Sequence, residues 1–467
     1  MTNDTSKPNI SSNKEHSLED LRPSVRFQAV KILNRYERSS AYIDKLLANT
    51  FRQYEYSKQD RSLLTEIVYG CVRWRAKLDW VLTGFFHGDF NKCINPVKNT
   101  MRVGLYQILF LDRIPDHAAI NESVEITKRL QSQKTAGLVN GVLRNIARNV
   151  KNIRYPNPQQ DNAFYKSVIN SYQKWLVENW TEQFGESAAD KLMQALNERP
   201  GIAIRINRHK FSDTTLKDDL KNRMENLGIE LEEINGIGGS YYLKGLGDDI
   251  SRNDFYIEGA ITIQDPSSVL VCELAKPNAS DFVVDMCAAP GGKTSLMAEM
   301  MGNKGKIIAF DKFEAKLEMI HQNASRLGLD IIKTVQADAT SLKVKGTPNL
   351  ILADVPCSGT GTIQKHPEIK WSIEKDTIKK LVSLQRSILS NSAANLKPGG
   401  ILVYSTCSIQ KRENRENIEW FLQQNKDFEL DRAENYIDKK FTRDGYLEVF
   451  PHQHGIMGAF AARLIKK

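Results

Sequence analysis

Residues 281–294 read DFVVDMCAAPGGKT. The run FVVD has the apolar, β-branched make-up of a buried strand, and a helical pattern begins at about residue 293. Asp285 closes the strand. Between strand and helix lies a turn of small residues: Cys287, Ala288, Ala289, Pro290, Gly291 and Gly292. Small residues in a strand-to-helix turn let backbone approach a ligand closely. The turn is not GxGxxG, and Lys293-Thr294 lacks the full Walker A spacing, so it carries no signature of phosphate binding.

Downstream, four more short apolar runs follow: KIIAFD (306–311), IKTVQAD (332–338), NLILADVP (349–356) and GGILVYSTC (399–407). Helical patterns at 293–302, 313–327 and 376–397 separate most of them. This alternation predicts a Rossmann-like domain over 266–467, a mostly parallel sheet with helices on both faces. Asp311 ends the second strand, 19 residues after Gly292, where a carboxylate can accept from ribose hydroxyls. Aspartate is also a favoured helix N-cap. Asp338 ends the third strand, within reach of an adenine amino group. These positions point to an adenosine-bearing cofactor without a diphosphate.

The six cysteines form no CxxC pair, which argues against a zinc site or a dithiol redox motif, and no metal is expected. Residues 1–21 are polar, lack the apolar core of a secretory signal and read as a disordered tail. No apolar run approaches the roughly 18 residues of a membrane span. The expectation is a cytoplasmic protein with reduced thiols and no membrane association. Two cysteines stand out. Cys357 in DVPCSG and Cys407 in STCS each follow a predicted strand, at the sheet edge where open α/β folds bind ligands. One such cysteine reads as a small buried residue; two on adjacent strand ends read as chemistry. A thiolate adding to carbon 6 of a pyrimidine makes carbon 5 nucleophilic toward a sulfonium methyl group, and a thiol is also a good leaving group. Asp354, just before Val-Pro-Cys, is a candidate to donate or accept at N3 and N4 of the base.

Upstream, 151–164 contains YPNPQQDN and reads as a linker. Residues 165–265 read as a small α+β domain: a helix pair ended by Pro200, the strand-like IAIRIN, a helix closing at Gly228, and short β-like pieces. Residues 22–150 read as a helical bundle, with Val25, Ala29, Ile32, Leu33 and Tyr36 spaced as one buried helix face. Similar patterns run through 40–52, 58–74, 96–111, 117–130 and 135–149. Gly84 and Gly88 interrupt the pattern, Pro96 opens the next helix, and Pro115 is expected to close it. This region carries 21 Lys and Arg against 11 Asp and Glu, a net +10 in a chain whose total is +9. A localised excess of that kind is the footprint of a nucleic-acid binder, although a solvated lysine-rich surface has the same composition.

CAAPGGKT, DVPCSG and STCS together resemble the RNA cytosine-5 methyltransferase family, class I and S-adenosyl-L-methionine dependent. Residues 22–150 resemble a NusB-like RNA-binding domain, through VGLYQILFLDRIPDHAAINESVEI and GLVNGVLRNIAR. The combination is similar to the bacterial Fmu/Sun (RsmB-type) 16S rRNA methyltransferases, and it covers almost the whole chain after residue 21. The resemblance implies that Cys287 through Lys293 form the methionine and adenosine loop. It implies that Asp311 holds the ribose, Asp338 the adenine, and that Asp354 lies between cofactor and base. Cys407 becomes the nucleophile and Cys357 the residue of product release, with 16S rRNA, naked or partly assembled with small-subunit proteins, as the partner of a monomer. QDPSS (264–268) leads into the catalytic domain. Two departures stand outside the catalytic set and bear on RNA contacts: Met457-Gly458-Ala459-Phe460 where the family often has Asp-Gly-Phe-Phe, and Gln364-Lys365 where two arginines are common.

A tRNA methyltransferase of the same family is the second enzymatic reading, and the NusB-like region argues against it. DNA methylation fits less well, because DNA enzymes use the cysteine of the PC motif and need a large recognition insert. A non-enzymatic RNA-binding factor with an inactive methyltransferase fold is opposed by the intact Asp354, Cys357 and Cys407.

Overall fold

The second strand of the predicted series, residues 306–311, lies beside the first and not at the end of the row, and this placement organises the rest of the sheet. The computed structural model describes residues 24–39, 41–211, 214–245 and 250–467, so the tail expected over 1–21 lies outside the described residues. Two compact units result, 1–154 and 155–467.

The first unit is helical. Its most buried element, Asn95–Phe110, starts with Pro96 in its first turn and packs against Val25–Ser39, Lys58–Arg73, Asp116–Leu130 and Gln133–Arg148. A helix absent from the sequence reading, Arg75–Phe85, buries Leu78, Val81 and Leu82. Only Trp74 separates it from the preceding helix, so its periodicity merges with its neighbour's. Pro115 does not close the helix that Pro96 opens. That helix ends at Phe110, and the Pro115 carbonyl instead accepts from the Ala118 and Ala119 amides to start the next one. Proline suits that place because its fixed φ is extended-compatible and no amide donor is required of it. Not every basic residue here is free: Arg102 is buried, with its guanidinium on Asp79 (2.6 and 2.7 Å) and Glu37 (2.6 Å).

In the second unit, helices Asn162–Ile169, Lys174–Phe184 and Glu186–Ala195 precede a four-stranded antiparallel sheet. Its strands are β1 (Ile202–Ile206), β2 (Glu230–Glu233), β3 (Ser240–Lys244) and β4 (Ile261–Ile263), in the order β2-β3-β1-β4. The helix Thr214–Asn226 covers one face with Leu220 and Met224. A buried helix that the sequence reading did not single out, Pro266–Ala275, then leads to the large sheet. Being apolar all round, it has no periodicity to detect.

The large sheet contains β5 (Phe282–Asp285), β6 (Lys306–Asp311), β7 (Ile332–Gln336), β8 (Leu350–Asp354) and β9 (Ile401–Thr406), parallel, in the order β7-β6-β5-β8-β9. The order reverses between β5 and β8, creating the switch point at which such folds bind ligands. Beyond β9 the sheet turns antiparallel. β13 (Ala459–Lys466) pairs with β9, and β10 (Phe428–Asp431) and β12 (Tyr446–Val449) both pair with β13; β11 (Thr442–Arg443) borders β12. Side chains alternate as the pleat requires. Val283, Leu350, Leu352 and Val403 face the helices Pro266–Ala275 and Gly292–Met300. Val284, Ile351, Leu402 and Tyr404 face Lys375–Asn395 and Arg415–Gln424.

The two sheets are joined by a fully buried ion pair. Arg205 of β1 reaches Glu299 in the helix that follows the glycine turn, and donates to Gln264 (2.5 Å) and Ser295 (3.1 Å). Losing one partner of such a pair strands the other charge, a cost of about 3–5 kcal/mol. The helices at 162–195 share a core with Ile363, Ile378, Ile409 and Phe450, so the loops after β8 and β9 rest on a solid helical layer.

Candidate active site

β5 ends at Asp285, whose buried carboxylate accepts from Thr294 Oγ1 at 2.7 Å and from the Cys287 amide at 3.4 Å. Burial pushes this carboxyl up to about 7. The turn is drawn tight by Gly291 N donating to Ala288 O (2.7 Å), and it is tied to β6 by Ala288 N donating to Phe310 O (2.8 Å). Gly291 has φ +98°, and a side chain there would crowd Ile320 at 3.2 Å, so glycine is required on both counts. Pro290 at the tip of the turn is exposed, while Ala288 and Gly291 are buried.

Lys293, first candidate for an anion, is already engaged: its Nζ donates to Asp354 Oδ2 at 2.7 Å. Although burial opposes its charge, Asp354 holds the ammonium well above the usual lysine range. The other Asp354 oxygen accepts from Ser405 Oγ of β9 at 2.7 Å. Asp311, buried at the end of β6, accepts from Phe313 N at 3.0 Å, an N-terminal helix contact that leaves it at the strand edge. Asp338 is half-buried and bonded by Thr340 Oγ1 (2.7 Å), Thr340 N (3.0 Å) and Lys312 Nζ (3.0 Å). The Thr340 bonds and then Lys312 pull its carboxyl down to about 2. Burial, reinforced by Asp285, Asp354, Asp311 and Asp338, drives the Cys287 thiol far up, so this cysteine is a poor nucleophile. Two of those four carboxylates are neutralised by neighbouring ammonium groups, Asp354 by Lys293 and Asp338 by Lys312.

At the neighbouring edge, Cys357 after β8 and Cys407 after β9 bring their sulfurs to 3.1 Å. Both thiols are free. The two thiols share a hydrogen bond in which either sulfur can donate, and this bond lowers the Cys407 pKa; burial and Asp354 oppose the shift and Lys293 assists it. The same bond, with burial, raises Cys357. The pair is therefore asymmetric, with Cys407 the easier thiolate.

All the sequence-derived positions thus collect on the carboxyl edge of β5, β6, β7, β8 and β9. The sequence reading missed Glu413, Asn414 and Gln385, which bond the two cysteine loops from behind. Glu413 lies in the run Lys411-Arg412-Glu413, which reads as solvated surface; Lys411 and Arg412 are exposed while Glu413 is buried. The departures also acquire contacts. Gln364 donates to Ala195 O at 2.8 Å. Gly458 N donates to Gly361 O at 2.9 Å, and Gly361 N donates to Cys407 O at 3.0 Å, so the altered last motif supports the Cys407 loop at one remove.

Sheets with this order, closed by carboxylates at the β5 and β6 ends and lacking a cationic phosphate cradle, are those of class I methyltransferases, whose methyl donor is S-adenosyl-L-methionine. Residues 272–465 match the family described as 16S rRNA methyltransferase RsmB/F, residues 23–148 the NusB family, and residues 172–237 the ferredoxin-like domain of RsmF/B-like methyltransferases. The chain belongs to the ribosomal RNA small subunit methyltransferase B family. It is 36% identical, over 95% of its length and 99% of the relative's, to the "Probable ribosomal RNA small subunit methyltransferase B" of Bacillus subtilis (strain 168). It is 32% identical to the Shewanella oneidensis ribosomal RNA small subunit methyltransferase B over 88% of this chain and 92% of that one. Among solved structures, that of PH0851 superposes with a TM-score of 0.80 at 26% identity, covering 95% of this chain and 99% of that one. A methyltransferase homolog from Pyrococcus horikoshii superposes at 0.57 with 28% identity, covering 66% of this chain and 99% of that one.

Proposed function

We propose that this protein methylates carbon 5 of a cytosine in 16S rRNA, through a covalent bond between Cys407 and carbon 6 of the base. The observation that carries this reading is the pair of free thiols 3.1 Å apart beside the Lys293–Asp354 pair. The Cys407 thiolate adds to carbon 6, and the electrons of the 5,6 double bond make carbon 5 nucleophilic. When bound, S-adenosyl-L-methionine supplies the electrophilic methyl group that carbon 5 accepts. Loss of the carbon 5 proton to a base then expels Cys407, and the ring regains aromaticity. Cys357, held protonated beside Cys407, assists that release. Asp354, fixed between Lys293 and Ser405, faces N3 and N4 of the base. Cys287 through Lys293, with Asp311 and Asp338, hold the cofactor.

Ribosomal RNA as substrate rests on the names borne by the relatives, and the +10 helical region, 22–150, is taken as the part that grips RNA. We take the protein to act in the cytoplasm as a monomer, on naked or partly assembled small-subunit RNA; among the described residues no helix is long and apolar enough to cross a membrane. The test is methyl transfer from labelled cofactor to 16S rRNA and to tRNA, followed by bisulfite sequencing. A single protected cytosine in 16S rRNA is expected. Label in tRNA alone moves the substrate; no transfer to either leaves an RNA-binding factor.

A further inference from the structure

The side chain of Glu413 is fully buried, and its carboxylate is met by hydrogen-bond donors and not by a cation in any bond or ion pair formed among the described residues. A buried carboxylate is retained only where its oxygens are satisfied. Here Oε1 accepts from the Ser358 amide (2.8 Å) and Gln385 Nε2 (2.9 Å), and Oε2 from Ser358 Oγ (2.5 Å) and Ser408 Oγ (2.6 Å). Ser358 directly follows Cys357, and Ser408 directly follows Cys407. Gln385 also donates to the carbonyl of Pro356, the residue before Cys357, at 3.0 Å. One side chain therefore grips both cysteine-bearing loops, which come from different strands. Its negative charge works against forming a thiolate nearby, so the benefit it provides is geometric.

We propose that Glu413 is a positioning residue that locks the Cys357 and Cys407 loops together in the geometry used for attack and release. This deepens the covalent reading above and rests on it. Four donors converge on two oxygens, and bonds to a charged acceptor are shorter and stronger than neutral ones. An amide at the same place keeps the shape but offers one acceptor oxygen, so either the two nitrogen donors, Ser358 N and Gln385 Nε2, or the two serine hydroxyls lose their acceptor.

The experiment compares wild type with Glu413→Gln and Ser358→Ala, using transcribed 16S rRNA and labelled S-adenosyl-L-methionine. Calorimetric cofactor binding and the melting curve report folding. The expected result is a kcat lower by about ten- to a hundredfold, the worth of the charge-assisted bonds removed, with cofactor Kd and RNA KM unchanged. In a Cys357→Ala background, Glu413→Gln is expected to slow formation of the protein–RNA adduct by a similar factor. Wild-type kcat in a folded Glu413→Gln protein overturns the proposal. If that variant does not fold, wild-type kcat in Ser358→Ala overturns it equally. Methylation by Cys407→Ala, run in parallel, instead removes the covalent reading, so the two failures are told apart.

Discussion

The sulfur of Cys357 lies 3.1 Å from that of Cys407, although the two belong to loops after different strands and are 50 positions apart in the chain. Proximity alone does not assign roles; the order of bond making does. Cys407→Ala is expected to abolish both turnover and any covalent RNA adduct. Cys357→Ala should still permit attack but slow elimination, so adducts accumulate on a denaturing gel. An adduct trapped by Cys407→Ala and absent from Cys357→Ala would reverse the assignment.

Asp311 closes β6 with one oxygen on the Phe313 amide. If it also binds ribose hydroxyls, Asp311→Ala loses charge-assisted bonds of roughly 1.5–3 kcal/mol, or one to two decades of cofactor affinity. Calorimetry reads this directly. Unchanged affinity removes Asp311 from the cofactor site.

Asp285 provides a pH signature. Its folded pKa, about 7, lies above the ordinary aspartate value of 3.8. A folded pKa raised in this way favours the folded state fully below the unfolded value, and the advantage is lost as pH rises through the folded one. Wild type should therefore lose stability relative to Asp285→Asn between about pH 4 and 7, on the order of 4 kcal/mol, and run parallel to it above that. Denaturant titrations across this range decide; parallel curves throughout contradict the burial argument.

Salt dependence tests the helical region. Arg144 and Arg148 are exposed on the helix Gln133–Arg148, whereas Arg102 is spent on Asp79 and Glu37. Replacing Arg144 and Arg148 with alanine in the full chain should weaken RNA binding and reduce the salt slope by about one to two. Cofactor affinity should not move. An unaltered slope means that this part of the basic surface is only solvated.

The parallel core was legible because each of its strands is a short apolar run ended by a chemically distinctive residue, as at Asp285, Asp311 and Asp354. Cys357 and Cys407 were legible because both follow such runs. The antiparallel border was not. β10 and β12 are four residues each, and nothing in FELD or YLEV marks a partner. Arg75–Phe85 was hidden by continuity with its neighbour, and Pro115 was assigned to the wrong end of a loop because proline both stops and starts helices. Glu413 was invisible for a different reason. A buried carboxylate met by serine hydroxyls and amides depends on tertiary neighbours, and a charged triplet in sequence looks like solvent-facing surface.

Gly361 lies where an added Cβ would fall 2.7 Å from the Cys407 carbonyl and 2.3 Å from that of Gly458, just before β13. β13 is made after every other strand of the sheet, yet it flanks β9 directly and carries that contact. A chain that lacked residues 459–467 would therefore leave β9, and the Cys407 loop that follows it, without the antiparallel neighbour that now covers that edge.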